Sequence, residues 1–356
     1  MSKLRVGIIG VGSIAKVAHL PSYAKRDDVD VVAFADPEHE RVVEEARTFA
    51  NVAKCPEPVV YADAAQMLEN ETLDAVSICT PNSSHVGLAI EAARRGVHVL
   101  LEKPMATNLE EAKQLAKISE ESGKVLMVGM SHRYREDVEL MKRYVDGQDL
   151  GDVYYAKTRI LRRRGTPRGW FTDLQIAGGG PLMDIGVHAL DLTWWLMGCP
   201  VASRVNGYLR RGIGHDQLDY IHAWKASSSG NEHNEIYTTE DFASAFIRFQ
   251  NGCVLQMEVS WSLNGPQDDA LKVELFGTKG GLSLDPLRIY TTNHHALTEF
   301  VPTVGMGPFY QREIDHFIRC VKSGSAPCSD AAQGLEIVKL LTAISKSSDE
   351  GREIEL

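Results

Sequence analysis

The sequence predicts an α/β protein, with a doubly wound parallel sheet first and a mostly antiparallel sheet after it. Three observations carry this. Short β-branched apolar runs alternate with amphipathic stretches through the first third. A glycine turn, Gly10-Val11-Gly12, directly follows the first apolar run. From Val153 onward, alternating runs succeed one another without helices between them, as in an antiparallel sheet with one covered face.

Taken in order, strands are expected over Leu4–Ile9, Val29–Ala35, Leu73–Cys79, Val97–Leu101 and Val125–Val128. Helices are expected between them over 14–26, 38–50, 83–95 and 108–122. The pattern changes near Gly129, which suggests regions 1–129 and 130–356. A helix is expected from Glu136 to Tyr144, then strands over Val153–Leu161, Ser203–Leu209, Phe242–Phe249, Val254–Trp261 and Leu271–Phe276. An apolar helix-like segment, 176–198, interrupts them, and Asn251-Gly252 is a hairpin signal. Helices return at 308–322 and 330–348, while 226–240 reads as an exposed loop and His294-His295 as an exposed turn.

A chain of 356 residues, 44% hydrophobic and 24% charged, has the balance of a two-domain globular protein. Its net charge of −10 argues against nucleic acid as a partner. No apolar run approaches the roughly 18 residues of a membrane span, and Met1–Arg5 lacks the apolar core of a secretory signal. The six cysteines are scattered, with no Cys-x-x-Cys pair. They read as reduced thiols of a cytoplasmic protein, and no metal site is expected.

Gly10, Gly12, Ser13, Ile14 and Ala15 form the G-x-G-x-x-A version of a dinucleotide fingerprint, in strand–turn–helix context. Gly10 permits the turn, Gly12 lets a pyrophosphate approach the backbone, and Ala15 keeps the helix close to the sheet. Asp36 ends the second strand, where a carboxylate suits ribose hydroxyls and repels a 2′-phosphate, favouring NAD over NADP. It is also a good helix start. Thr80-Pro81-Asn82 to His85 leaves the next strand and suits cofactor contact, or ordinary capping by Asn82 or Ser83.

Glu102-Lys103-Pro104 follows Val97–Leu101, so Lys103 emerges where ligands bind in open parallel sheets. Pro104 biases Lys103 toward extended backbone. The lysine can polarise a hydroxyl, or simply solvate a loop. Downstream, Gly178-Gly179-Gly180 leads into a helical stretch with Asp184, His188 and Asp191 at i, i+4 and i+7. A histidine flanked by acids can be a general base. It can equally be a core histidine, and Asp184 with His188 lacks the further ligands a metal needs. Arg162-Arg163-Arg164 reads as a solvated face or subunit contact, with Tyr134, Arg168, Trp170 and Asp173 as substrate candidates.

These motifs, in this order and over essentially the whole chain, resemble the Gfo/Idh/MocA oxidoreductase family, which includes glucose–fructose oxidoreductase and inositol dehydrogenase. The resemblance implies an N-terminal Rossmann dinucleotide-binding domain and a C-terminal domain with a large open sheet, used for homodimer or homotetramer contacts. It places Lys103, Asp184 and His188 on catalytic positions and adds Glu102 and Lys103 to the cofactor site. The implied function is NAD-dependent oxidation of a secondary hydroxyl of a sugar or cyclitol. Two alternatives stand beside it: an NAD-dependent glycosidase that oxidises transiently, and a non-catalytic NAD-binding regulator.

Overall fold

The computed structural model describes residues 3–214, 236–268 and 270–356. Its contacts divide the chain into two units. Among the described residues, one takes in the chain up to Gly129 together with Tyr310–Val338, and the other takes in 130–214, the described part of 236–309, and Lys339–Leu356.

The first unit holds a six-stranded parallel sheet of β1 (Leu4–Ile9), β2 (Val29–Ala35), β3 (Val59–Tyr61), β4 (Ala75–Ile78), β5 (His98–Glu102) and β6 (Leu126–Gly129). The order is β3-β2-β1-β4-β5-β6. Strand order reverses between β1 and β4, which makes the carboxyl end of β1 a topological switch point. β1 and β4 are the innermost, and Val6, Ile8, Ala75, Val76 and Ile78 are fully buried. One helix shows capping at both ends. Asn108 accepts from Glu111 N–H at 3.0 Å to open Leu109–Ser122, and Gly123, at φ 63°, closes it. Strand β3 and the helix Ala64–Asn70 lie outside the expected elements. A three-residue edge strand carries too little periodicity to be read.

The expected division at 129 placed everything beyond it in one region, whereas Tyr310–Val338 returns to the first unit. Val128 N–H donates to Ser329 O at 2.8 Å, and the Ser329 hydroxyl donates back to Val128 O at 2.7 Å. Helical periodicity shows which face is buried, not which sheet buries it.

The second unit is built on nine strands. To β7 (Val153–Leu161), β8 (Ala202–Arg210), β9 (Phe242–Phe249), β10 (Val254–Ser260) and β11 (Lys272–Gly277) it adds β12 (Gly280–Leu284), β13 (Arg288–Asn293), β14 (Ala296–Phe300) and β15 (Ile354–Glu355). The order is β14-β13-β12-β11-β7-β10-β9-β8-β15, and β7 with β10 is a parallel pair in an otherwise antiparallel sheet. Strands β12 to β14 were not expected, because β12 is glycine-rich and β13 and β14 lack a clear alternation of apolar and polar residues. His294 and His295 form the exposed turn of the last hairpin, at φ 49° and 64°. At Asn251-Gly252, Gly252 takes φ 86° between β9 and β10. The helix Val187–Leu196 is apolar nearly all round and nearly all buried.

Residues 226–235 of the expected exposed loop lie outside the described residues. Thr239 and Glu240 beyond them are buried rather than exposed, and Glu240 accepts from Leu182 N–H. Among the described residues, no helix is long and apolar enough to cross a membrane.

Candidate active site

In the first unit, the turn after β1 is shaped by contacts only glycine allows. Gly10 sits at φ +84°, and a Cβ there would lie 2.8 Å from the Cys79 carbonyl and the Thr80 methyl. The Val11 N–H donates to Asp36 Oδ2 at 2.8 Å, so the second strand's acid braces the first strand's turn. Asp36 Oδ1 accepts from Glu38 N–H at 2.9 Å and from Arg41 Nη2 at 2.7 Å. Asp36 therefore does help start the next helix, and Arg41 is a partner its motif did not announce. Ala15 is fully buried, while Gly12, Ser13 and Ile14 are half-buried. A tight turn and a close-packed helix start are what a dinucleotide pyrophosphate requires, and this turn meets both.

Beyond β4, the Ser84 hydroxyl lies 2.7 Å from Thr80 Oγ1 and 2.8 Å from Pro81 O; Ser84 stands at the N-cap of the helix His85–Arg94, in place of the expected Asn82 or Ser83, and its side chain makes no capping bond. Asn82 is buried. His85 has no exposed surface; its Nδ1 is 2.8 Å from Pro104 O and its Nε2 is 2.9 Å from Thr80 O. The ring ties the loops leaving β4 and β5 together, so its side chain positions those loops. Burial lowers its pKa against the pull of the two carbonyls.

Glu102 is the last residue of β5 and only 8% exposed. Its Oε1 is 2.9 Å from His19 Nε2, and its Oε2 accepts from Lys103 N–H at 3.3 Å. Burial alone would raise its pKa, but the His19 hydrogen bond and the charges of His19, Lys103 and His85 hold it below the usual range. Gly129 leaves room for it, since a Cβ there would stand 3.3 Å from Glu102 Oε1. Lys103, half-buried, follows at the strand end, and its bond to Pro104 is cis. His19 was not singled out by sequence; its one signal is a place on the buried face of the first helix.

In the second unit, the glycine run has a steric reason. A Cβ on Gly180 would lie 2.1 Å from the Glu240 carbonyl oxygen. Glu240 Oε1 in turn accepts from Leu182 N–H at 3.1 Å, filling the open end of the segment that follows. That segment is a π-helical turn, Leu182–Gly186, running into the helix Val187–Leu196. Such turns recur at functional sites.

Asp184 lies in the π-helical turn, 6% exposed, and accepts from Trp261 Nε1 at 3.1 Å. His188 is half-buried; its ring centre is 4.8 Å from that of His132, edge to face at 88°. His132 stacks in turn on Phe309 at 6.0 Å. Asp191 is held by Arg133 through Nε to Oδ2 at 2.8 Å and Nη2 to Oδ1 at 2.5 Å. The three expected residues thus divide: Asp184 and His188 flank the π-to-α junction, while Asp191 belongs to a buried ion pair. Trp261, His132 and Arg133 were not read from the sequence.

Of the substrate candidates, Tyr134 is buried, whereas Arg168, Trp170 and Asp173 are half-buried. Trp170 stacks on Phe171 at 4.0 Å, and Asp173 accepts from Gln175 N–H at 2.9 Å. Arg164 reaches Asn264 at 3.0 Å, while Arg163 is exposed. Lys103 lies in the first unit; Asp184 and His188 lie in the second.

Comparison with known proteins shows the family. The profile of an oxidoreductase family with an NAD-binding Rossmann fold matches residues 4–130, and the Gfo/Idh/MocA C-terminal domain matches 138–283. The chain is 32% identical over 358 residues to D-glucoside 3-dehydrogenase of Escherichia coli (strain K12), covering 100% of this chain and 98% of the relative. It is 26% identical over 349 residues to scyllo-inositol 2-dehydrogenase (NAD(+)) of Bacillus subtilis (strain 168), covering 94% and 92%. An oxidoreductase domain protein from Kribbella flavida has the same fold, with a TM-score of 0.84 at 23% identity, covering 100% of this chain and 99% of that one. The chain belongs to the Gfo/Idh/MocA oxidoreductase family, and it is an oxidoreductase built on an NAD-binding Rossmann domain.

Proposed function

We propose that this protein is an NAD-dependent dehydrogenase that oxidises a secondary hydroxyl of a sugar, cyclitol or related polyol. The observation that carries the reading is a buried, Trp261-held Asp184 four residues before a half-buried His188. The similarity to glucoside and inositol dehydrogenases over nearly the whole chain supports the substrate class.

A bound nicotinamide supplies the hydride acceptor. His188 takes the hydroxyl proton, leaving a ketone where the carbinol stood. Asp184 orients the imidazole or receives an adjacent hydroxyl, and Lys103 polarises the reacting oxygen. Gly10, Gly12 and the helix start at Ser13 to Ala15 would hold the pyrophosphate, and Thr80, Pro81, Asn82 and Glu102 would contribute the other cofactor contacts. Asp36 favours NAD, since its carboxylate would repel a 2′-phosphate, although Arg41 beside it offsets part of that charge.

A panel of sugars, glucosides and cyclitols assayed with NAD and NADP separately tests this by the absorbance of reduced cofactor. Net NADH from at least one ring polyol is expected. Release of a leaving group without net reduction would favour transient oxidation instead, and silence across the panel would favour a regulator. A homodimer or homotetramer through the second sheet is also proposed, supported by Tyr154 and Tyr208, which are 55% and 56% exposed on its strands. Light scattering at the 39.3 kDa mass of one chain would contradict it.

A further inference from the structure

Asp184 is held from two sides, and both holds lead to one dipeptide, Glu240-Asp241, just before β9. The first side is the glycine run. Gly180 O accepts from Asp184 N–H at 3.0 Å, so the Asp184 backbone follows Gly180. Gly180 is itself seated on Glu240, since a Cβ there would also lie 3.1 Å from the Glu240 carboxyl carbon. Glu240 is 2% exposed, and its Oε1 takes the N–H of Leu182, the first residue of the π-helical turn.

The second side is Trp261. Its indole donates to the Asp184 carboxylate, and its backbone N–H donates to Asp241 O at 3.0 Å. The Ser260 hydroxyl donates to the same oxygen at 3.1 Å. Asp241 has no exposed surface, and its own N–H donates to Arg210 O at 2.8 Å. Its carboxylate accepts from Ile213 N–H at 2.8 Å, from Gly214 N–H at 3.0 Å and from the Tyr237 hydroxyl. Asp241 is thus a fixed post, and the Glu240 side chain ties the π-helical turn to it. Burial raises the Glu240 pKa, and the N–H groups of Gly180, Glu240 and Leu182 oppose the rise. Charged or neutral, the carboxyl presents an oxygen to Leu182, so the turn depends on its reach rather than its charge.

We propose that Glu240 is a positioning residue for the reaction: its side chain sets the π-helical turn against Trp261, so that Asp184 meets the indole and His188 follows one turn on. The proposal rests on the roles given to Asp184 and His188 above.

The test separates reach from charge. Glu240→Gln keeps the length and an oxygen; Glu240→Asp keeps the charge but withdraws the oxygen by one methylene; Glu240→Met fills similar space with no oxygen. With isotope-labelled tryptophan, the indole N–H resonance of Trp261, identified by its loss in Trp261→Phe, reports the bond to Asp184 in the absence of substrate. Glu240→Gln should leave that resonance in place. Glu240→Asp and Glu240→Met should move it toward its position in Asp184→Ala. In turnover with a substrate from the panel, Glu240→Gln should keep kcat within about three-fold, whereas Glu240→Asp and Glu240→Met should lower it about ten-fold to a hundred-fold. NADH affinity should stay within about two-fold in all three, because the turn after β1 is untouched. A folded Glu240→Asp or Glu240→Met with the wild-type resonance would overturn the proposal, and so would Glu240→Gln losing as much as they do. The resonance is read even where no substrate is found, so the proposal and the dehydrogenase reading fail separately.

Discussion

The indole N–H of Trp261 donates to the Asp184 carboxylate at 3.1 Å, from a side chain with no exposed surface. Trp261→Phe retains a large ring and removes that donor. A hydrogen bond to a charged group contributes about 1.5–3 kcal/mol, so turnover should fall about ten-fold to a hundred-fold if the bond holds Asp184 for the reaction. Steady-state kinetics beside a melting curve separate this from simple destabilisation. Wild-type turnover in a folded Trp261→Phe would remove Asp184 orientation from the account.

Arg133 and Asp191 form a buried two-pronged pair, their side chains 1% and 3% exposed. Removing one partner strands the other's charge, so Asp191→Asn should cost about 3–5 kcal/mol in chemical denaturation. Replacing both, as Arg133→Met with Asp191→Leu, should cost less than the single change. Equal costs would contradict the assignment of Asp191 to structure.

Gly10→Ala places a methyl against the Cys79 backbone at a φ of +84° that alanine resists. NADH affinity should fall at least about ten-fold while far-ultraviolet circular dichroism stays native, with about 1–3 kcal/mol of strain in the melt. Unchanged binding would show that the turn is not what receives the cofactor.

Asp36→Asn keeps one oxygen, enough for the Val11 or the Glu38 N–H but not both, and removes the charge that now pairs with Arg41. Freed Arg41 suits a 2′-phosphate, so the ratio of kcat/KM for NADP over NAD should rise. The ratio is read with one substrate and both cofactors. No change would mean that neither residue faces the adenosine end.

The first unit was legible because its signals are local. Glycine at a strand end, an acid at the next strand end and a lysine before proline each mark a backbone position by themselves. Asp184 and His188 were legible for the same reason, as a spacing on one helix. What escaped the sequence is non-local: His19 meets Glu102 across 83 positions, and Trp261 meets Asp184 across 77. Asp191 shows the limit of spacing most clearly. Periodicity put it beside His188, but Arg133 claims its carboxylate. Strands β12 to β14 escaped for another reason: β12 is glycine-rich and buried along nearly its whole length, and β13 and β14 are largely exposed, so none shows the alternation of a half-buried strand.

The central claim is that His188 removes the substrate proton, and His188→Ala measures it most directly. With a substrate from the panel, kcat should drop about 10²–10⁴-fold while NADH binds as in the wild type. Unchanged turnover in that variant, with the cofactor bound normally, would contradict the account.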